Sequence, residues 1–265
     1  MNTTTITITA LALAATAATA SPITVTIENT SADGGFFFTP VWVGFHDGSF
    51  DSYDTGADAD LFDGITQIAE GGNTAPISDR FAANNPGATQ ATLASVAFDG
   101  DAPVYSPGES ASFDIDVADS ATNRYFSFAS MIVPSNDLFV GNDNPFAYNI
   151  FNKDGSFAGP VTIEFYGRDV RDNGSEFNNA SGGAAFSALG GDSASEDGVI
   201  RAFFSDSGDI DYLASFVGTG TANGDSIDQI FTESTLLGRI TIVPAPSSIA
   251  LALVGAPLLT RRRRN

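Results

Sequence analysis

Apolar and polar residues alternate in short segments along most of the chain. Residues 23–27 read Ile-Thr-Val-Thr-Ile, and alternation with a period of two is typical of a half-buried β-strand. Six further segments rich in β-branched and aromatic residues predict more strands. In chain order they are residues 36–45, 111–117, 125–133, 161–166, 198–204 and 238–243. Pro40 predicts a sheet edge or a bulge, because proline donates no ladder hydrogen bond.

Helical spacing is confined to two stretches. Residues 57–70 place apolar side chains at a spacing near 3.6 residues and end at two glycines that can cap a helix. Residues 76–84 predict a second, shorter helical turn. Seven candidate strands, turns rich in Gly and Asp, and 22 phenylalanines predict an all-β fold. We expect an antiparallel β-sandwich with one or two short helices in its loops.

The segment 180–237 gives the weakest pattern. Residues 180–197 are rich in Ser, Gly and Ala and predict a long loop, while residues 206–211 carry three aspartates. We interpret the aspartate-rich piece as an insertion or a rearranged sheet edge. The length fits one β domain over residues 21–243, with a loop or insertion around 180–237.

Acidic residues dominate the composition. The chain has 32 Asp and Glu against 11 Lys and Arg, for a net charge of −21. Four of the basic residues are Arg261 to Arg264, which leaves seven against all 32 acidic residues, a charge of −25, for the rest of the chain. This charge disfavours the binding of nucleic acid or of an anionic membrane through the main domain.

The chain has no Cys and one His. The lack of Cys excludes disulfides, zinc–thiolate sites, iron–sulfur clusters and Cys nucleophiles. A site with several histidines is excluded too, and a Ser-His-Asp triad would have His46 as its one possible base. We interpret His46 as a hydrogen-bonded turn residue, because it follows a predicted strand and precedes Asp47-Gly48. Carboxylate and carbonyl oxygens remain, and they suit hard cations such as Ca²⁺.

The first 20 residues resemble a secretory signal peptide. They carry no charged side chain, contain an apolar stretch and close on Ala18-Thr19-Ala20, an A-x-A cleavage pattern. A Lys or Arg near the start is missing, and the alternative is a buried strand over residues 5–9, where Thr and Ile alternate. The signal-peptide interpretation predicts secretion.

Residues 244–265 form a candidate sorting tail. The prolines of Val243-Pro244-Ala245-Pro246 are followed by an apolar run over residues 249–259 and by four arginines. A helix of about 11 residues rises about 16 Å, which is roughly half the hydrocarbon core of a bilayer. The layout resembles the PEP-CTERM tail of Gram-negative bacteria, although Ala245 stands where that motif usually has Glu. The resemblance implies processing by an exosortase-type enzyme, transient membrane contact through residues 249–264, and a location at the cell surface or in the extracellular matrix.

Two motifs in the middle of the chain point to a family. Residues 127–141 read S-F-A-S-M-I-V-P-S-N-D-L-F-V-G, and residues 172–178 read D-N-G-S-E-F-N. Together they resemble the signature motifs of the spondin domain, which is named after the amino-terminal region of F-spondin. Residues 39–51 and 68–72 follow the order of the family's upstream motifs, so the resemblance covers roughly residues 23–180 and the closing strand.

The resemblance implies a secreted, C2-like β-sandwich that binds one Ca²⁺ through loop carboxylates. The family's metal carboxylates fall on Asp137, Asp172 and Glu176. The chain departs from the family at two positions. Leu138 replaces the aromatic that usually follows the first Asp, and Ser175 replaces a usual Thr.

The residues themselves support this site in part. Asp172 and Glu176 lie four apart across Asn173-Gly174, and the glycine lets the chain turn back so that both carboxylates face one centre. Ca²⁺ takes six to eight oxygen ligands with looser geometry than Mg²⁺ demands, which favours Ca²⁺. The sequence contains no EF-hand motif. Other acidic groups could add ligands, but turn chemistry explains them better; they are Asp47, Asp51, Asp54 and residues 142–144.

The leading hypothesis is a secreted, surface-associated, Ca²⁺-binding adhesion or extracellular-matrix module without catalytic activity, which would bind an extracellular polysaccharide or a surface protein. The alternative is an extracellular polysaccharide-active enzyme, or a carbohydrate-binding module, with a structural Ca²⁺. A glycosidase needs two carboxylates about 5–10 Å apart, and among 32 acidic residues some pair meets that condition by chance. The 22 Phe against six Tyr and one Trp indicate core packing more than a sugar-binding surface.

Overall fold

A computed structural model describes residues 21–95, 103–179, 182–190, 193–221 and 223–246. The predicted signal peptide, and the apolar run and arginine cluster of the predicted tail, lie outside the described residues.

Two antiparallel β-sheets and three short α-helices make up the described fold. The strands are β1 (Ser21–Asn29), β2 (Phe37–Phe38), β3 (Val41–His46), β4 (Thr89–Leu93), β5 (Ser110–Val117), β6 (Tyr125–Val133), β7 (Leu138–Gly141), β8 (Tyr148–Asn149), β9 (Val161–Tyr166), β10 (Arg171–Asp172), β11 (Arg201–Ala202) and β12 (Leu236–Pro244). The α-helices are α1 (Ile65–Gly71), α2 (Ala75–Asn84) and α3 (Asp209–Ala214), and short 3₁₀ turns lie at Ala59–Leu61, Gly167–Asp169 and Phe203–Ser205. The predicted all-β sandwich with short helices is confirmed.

The first sheet has the strand order β5-β1-β12-β9. In β1 the side chains of Ile23, Val25 and Ile27 are buried, whereas the threonines between them are partly exposed. This alternation follows from the strand geometry, which points successive side chains to opposite faces. One face of the sheet therefore contributes to the core and the other faces solvent.

The second sheet is covered on both faces. Its order is β11-β10-β7-β6-β3-β4, and β2 and β8 also pair with β6. One face packs against the first sheet, and the other packs against α1 and α2 through Trp42, Ile68 and Phe81. The rings of Trp42 and Phe81 meet at a centroid distance of 5.4 Å. Strand β6 is buried from Phe126 to Val133 because it lies between these two layers.

Most predicted strands are confirmed, and two predictions need correction. The predicted strand 36–45 is two strands, β2 and β3, separated by Thr39 and Pro40. The predicted strand 198–204 is wrong for most of its length, because β11 has only two residues and a 3₁₀ turn follows it. Its only strand partner among the described residues is β10, which is equally short.

The helix predictions hold for α1 and α2, but the start of the first is wrong. Residues 57–64 include a 3₁₀ turn and end at Gly64, whose φ of 96° interrupts a helix before α1 begins. Helix α3 lies in the aspartate-rich piece 206–211 and the residues after it, where the sequence predicted an insertion or an edge. The described parts of residues 180–197 contain no helix or extended strand, as the loop prediction requires.

Candidate metal centre

Asp137 lies in the turn between β6 and β7 and is fully buried. The Ser135 hydroxyl fixes this turn, since it donates to the Ile132 carbonyl at 2.6 Å and accepts from the Leu138 N–H at 3.1 Å. Asp137 Oδ2 accepts hydrogen bonds from the backbone N–H groups of Ser175 and Glu176 at 3.0 and 3.1 Å, and from the Ser175 hydroxyl at 3.2 Å. Asp137 Oδ1 is buried and has no hydrogen-bond partner among the described residues. A buried carboxylate oxygen without a donor is costly unless a cation or a proton satisfies it.

Asp172 ends β10 and lies beside the Asp137 turn, because β10 pairs with β7 through Asp172 and Leu138. Its Oδ1 accepts from the Gly174 N–H at 2.9 Å, which folds the chain back. Gly174 has a φ of 72°, and a Cβ there would lie 2.6 Å from the Val199 carbonyl oxygen. Glycine is therefore required at this turn, and the sequence-based argument for a reversal at Gly174 agrees with the structure.

A guanidinium pairs with the second oxygen of Asp172. Arg201 Nη2 lies 2.7 Å from Asp172 Oδ2, and Asn178 Nδ2 donates to the same oxygen at 2.6 Å. Arg201 also contacts Asp209 at both oxygens, with Nη1 at 2.8 Å from Oδ2 and Nη2 at 2.9 Å from Oδ1. Asp172 and Asp209 are buried, whereas the Arg201 side chain is 30% exposed. Arg201 therefore ties α3, through its first residue Asp209, to the end of β10.

Glu176 lies in the same loop, but its carboxylate turns toward another segment. Its Oε2 accepts from the Ser193 N–H at 3.2 Å, while its backbone carbonyl accepts from Asn136 Nδ2 at 3.0 Å. The side chain is largely buried, at 8% exposure. Glu176 is thus close to the Asp137 turn through its backbone, and its carboxylate is held by the loop after residue 192.

Tyr212 on α3 contacts the turn that carries Asp137, through the neighbouring residue Asn136. Its hydroxyl donates to Asn136 Oδ1 at 2.6 Å and accepts from the Asn136 N–H at 2.9 Å. Burial raises the pKa of Tyr212, and the charges of Asp137, Asp172 and Glu176 raise it further. All three carboxylates therefore act on one phenol, although they come from two separate motifs.

Burial shifts the titration of two carboxyl groups of this cluster, Asp137 and Asp172, toward the protonated form. Burial raises the pKa of Asp137 well above its ordinary value, and the nearby Asp172 raises it further, against the three hydrogen bonds on Oδ2. Burial also raises the pKa of Asp172, while Arg201 opposes that shift. With Glu176 and Asp209 the cluster holds four carboxyl groups against one guanidinium, so a bound cation would relieve an excess of negative charge.

The oxygens of the cluster fit a hard cation in part. Besides Asp137 Oδ1, the side-chain oxygen of Asn178 is buried and lacks a hydrogen-bond partner among the described residues. Carboxylate and amide oxygens are the ligands that Ca²⁺ takes. Within the part of the chain that the structure describes, however, no three carboxylate or imidazole side chains already stand close enough to hold one metal ion. Glu176 or Asp172 would have to move from its present hydrogen bonds to join Asp137.

Sequence reasoning missed four residues of the cluster: Asn136, Arg201, Asp209 and Tyr212. Arg201 is one of only seven basic residues outside the tail. This scarcity was the one signal in the sequence that its guanidinium pairs with a carboxylate. Nothing in its local pattern identifies Asp172, 29 positions away, as the partner.

His46 has the structural role that the sequence indicated. It is the last residue of β3 and is fully buried, and its Nδ1 accepts from the Gly48 N–H at 3.1 Å. The proton is therefore on Nε2, which lies 2.9 Å from the Ser127 hydroxyl. Burial lowers the pKa of His46 to about 4, so the ring is neutral at pH 7.

Another acidic group contains three of the aspartates considered as additional ligands. Burial, together with the charges of Asp54 and Asp143, raises the pKa of Asp51 to about 6. Asp51 Oδ1 is buried and has no hydrogen-bond partner within the described parts of the chain, whereas Asp143 accepts from the Thr55 hydroxyl at 3.1 Å. Asp47 caps its own turn by accepting from the Ser49 N–H, which is the turn chemistry expected for it.

Two further findings concern membrane-spanning helices and similarity to known proteins. No helix among residues 21–246, as far as they are described, has the length and apolar character needed to cross a membrane. No protein-family model matches the chain, and a comparison with curated proteins also found no match.

Proposed function

We propose that this protein is a secreted, surface-associated, calcium-binding adhesion or extracellular-matrix module without catalytic activity. The observation that carries the proposal is the buried Asp137 carboxylate, whose Oδ1 has no partner among the described residues. Asp172 and Glu176 lie close enough to act electrostatically on the same tyrosine as Asp137. Asp137 would bind the ion directly, and the other two carboxylates would complete the site.

Calcium would join two turns that are far apart in the sequence. The Asp137 turn and the loop after β10 already share hydrogen bonds through Ser175 and Glu176. An ion that binds only the folded state stabilises it by about 2.7 kcal/mol at a hundredfold excess over its Kd. The loops at this site would then present a fixed surface to a polysaccharide or a surface protein.

Location and family belong to the same proposal. The resemblance to the spondin domain and the PEP-CTERM-like layout of residues 244–265 support secretion followed by sorting to the surface or matrix of a Gram-negative bacterium. The tail would meet the membrane transiently through residues 249–264 and would be processed by an exosortase-type enzyme. Mass spectrometry of the mature protein from its native host tests both expected cleavages, after Ala20 and near Pro244.

Isothermal titration of the full, chelator-treated chain with Ca²⁺ tests the metal site. We expect saturable binding in the wild type and its loss at this site in Asp137→Asn, a change that keeps the side-chain shape. Asp116→Asn, at an exposed position of β5, is the matched control and should bind as the wild type does. Absence of Ca²⁺ binding in the folded wild type would refute the calcium-binding function.

The absence of catalytic activity needs its own measurement. The calcium-loaded chain should release no reducing sugar from a panel of extracellular polysaccharides, while retention on one of the same polysaccharides would indicate binding. Reproducible sugar release that disappears when a carboxylate is replaced would establish the polysaccharide-active alternative instead.

A further inference from the structure

A small polar cavity is lined in part by the loop that follows β10. Its volume is about 50 Å³, and among its lining residues are four acidic ones: Asp58, Asp60, Glu196 and Asp197. None of the residues lining it is Lys, Arg or His. The cavity therefore concentrates negative charge that no basic side chain in its walls offsets.

Asn173 supplies an independent sign of a ligand in this cavity. It belongs to the cavity wall and is 1% exposed. Its Nδ2 donates to two other wall residues, Thr66 Oγ1 at 3.2 Å and Ser175 Oγ at 2.9 Å. These bonds fix the amide, and its Oδ1 is left buried with no hydrogen-bond partner among the described residues. A buried amide oxygen in this state calls for a donor or a cation.

Backbone hydrogen bonds hold the walls of the cavity in place. The Glu196 N–H donates to the Ser175 carbonyl at 2.7 Å, and the Gly198 N–H donates to the Gly174 carbonyl at 2.9 Å. The Ile200 N–H donates to the Ala57 carbonyl at 2.9 Å, which connects the same segment to the turn that bears Asp58 and Asp60. The acidic residues are therefore presented by connected backbone and not by independent loops.

We propose that this cavity is a second divalent-cation site, which binds Ca²⁺ through Asn173 Oδ1 and through carboxylates of two acidic pairs. The pairs are Asp58 with Asp60 and Glu196 with Asp197. A cavity of about 50 Å³ has room for an ion with a water or two, since one water occupies about 30 Å³ in the liquid. No three of the carboxylates already stand close enough to hold an ion. The ion would therefore keep some water and use the amide oxygen, as Ca²⁺ sites commonly do. The site is distinct from the proposed Asp137 site, because Asp137 does not line the cavity.

The number of calcium ions bound per chain tests the second site. Titration of the full chain should give two ions for the wild type. Asp60→Asn combined with Glu196→Gln, one change in each acidic pair, should give one, and so should Asn173→Ala. Asp137→Asn should also give one, which is the ion in the cavity. A double control at exposed carboxylates outside the cavity, Asp116→Asn with Asp225→Asn, should keep two.

Circular dichroism establishes that each variant is folded before its titration is interpreted. If the double variant does not fold, Asn173→Ala carries the test alone. An unchanged ion count in Asn173→Ala and in the double variant would overturn the second site. An Asp137→Asn protein that is folded and binds no ion would do the same. A wild type with one ion that survives Asp137→Asn and disappears in the double variant would support the cavity site and refute the Asp137 site.

Discussion

The guanidinium of Arg201 lies 2.7 Å from the buried carboxylate of Asp172, 29 positions earlier in the chain. The same guanidinium contacts both oxygens of Asp209. Two buried carboxylates thus depend on one cation. This arrangement makes the stability of the loop region sensitive to a single side chain.

Arg201→Met should destabilise the protein by about 3 kcal/mol, because removing one partner of a buried ion pair leaves an uncompensated buried charge. Arg239→Met is the matched control. Arg239 also pairs with two carboxylates, Glu28 and Glu164, but those groups are more than a third exposed, and exposed pairs contribute at most about 1 kcal/mol. Urea unfolding of both variants measures the difference. Equal losses would contradict the importance assigned to Arg201.

Gly174→Ala should be much more harmful than Gly56→Ala. Both glycines have positive φ, 72° and 92°, so both substitutions impose the backbone strain of a left-handed conformation, about 1–2 kcal/mol. At Gly174 the added Cβ would also meet backbone, 2.6 Å from the Val199 oxygen. At Gly56 no described residue, apart from the chain neighbours, has an atom within 4 Å of the added Cβ. The free energies of unfolding of the two variants distinguish the backbone strain, which both share, from the steric clash of the Cβ, which is expected only at Gly174. A Gly174→Ala protein no less stable than Gly56→Ala would show that the loop can shift.

Asp137→Asn should make the calcium-free protein as stable as the wild type or more so. Burial raises the pKa of Asp137 well above normal, so the ionised side chain is unfavourable until a cation binds. The same variant should lose the rise in Tm that Ca²⁺ produces in the wild type. Thermal melts of the wild type and of Asp137→Asn, each with Ca²⁺ and with a chelator, give the four Tm values to compare. A variant less stable without calcium, with an undiminished calcium response, would contradict this expectation.

His46 should make stability fall in acid. Its pKa is lowered from 6.5 to about 4 by burial, so the unfolded chain binds the proton more readily than the folded one. The contribution of this group is complete above pH 6.5 and is lost as the pH falls toward 4, by up to about 3 kcal/mol at about 1.4 kcal/mol per pKa unit. In His46→Gln this part of the pH dependence should be missing. Urea titrations at pH 7 and pH 4.5 measure it, and equal pH slopes for both proteins would refute the assignment.

Asp51 should act in the opposite direction. Its pKa is raised from 3.8 to about 6, first by burial and then by Asp54 and Asp143. The folded state therefore binds the proton more tightly, and the stability that this group contributes is present below pH 4 and lost as the pH rises through 6. Asp51→Asn should stabilise the protein at pH 7 and have little effect at pH 4. Asp225→Asn, at an exposed position, controls for the change in net charge; a similar gain at pH 7 from that control would show a general charge effect.

The sandwich could be predicted from the sequence because its long strands carry their own signal. The alternating residues of β1 and the apolar run of β6 reflect burial on one face and on two faces, respectively. Strands β8, β10 and β11 have two residues each, which is too short to show the alternation of apolar and polar residues. Helix α3 was missed because two of its first three residues are aspartates, which favour turns as much as helix starts.

The candidate site could be predicted only in part, and for a different reason. Asp137, Asp172 and Glu176 were selected by a resemblance to family motifs, and the charges of all three raise the pKa of Tyr212. The partners Arg201 and Asp209 depend on where α3 packs, which is a property of the tertiary fold. Ser193, which holds the Glu176 carboxylate, lies in the low-complexity loop, where neighbouring residues give no indication of a distant contact.

The pairing of β1 with β12 places Ile23 opposite Pro244, and the Ala245 N–H donates to the Pro22 carbonyl at 3.2 Å. The two ends of the described chain therefore lie at one corner of the sandwich. A short flexible linker could join them, so new termini could be opened in an exposed turn such as that at Asp154-Gly155 while every strand pair is kept. The same adjacency means that a label or a surface attached at either end would hold the domain by this corner and leave its orientation unchanged.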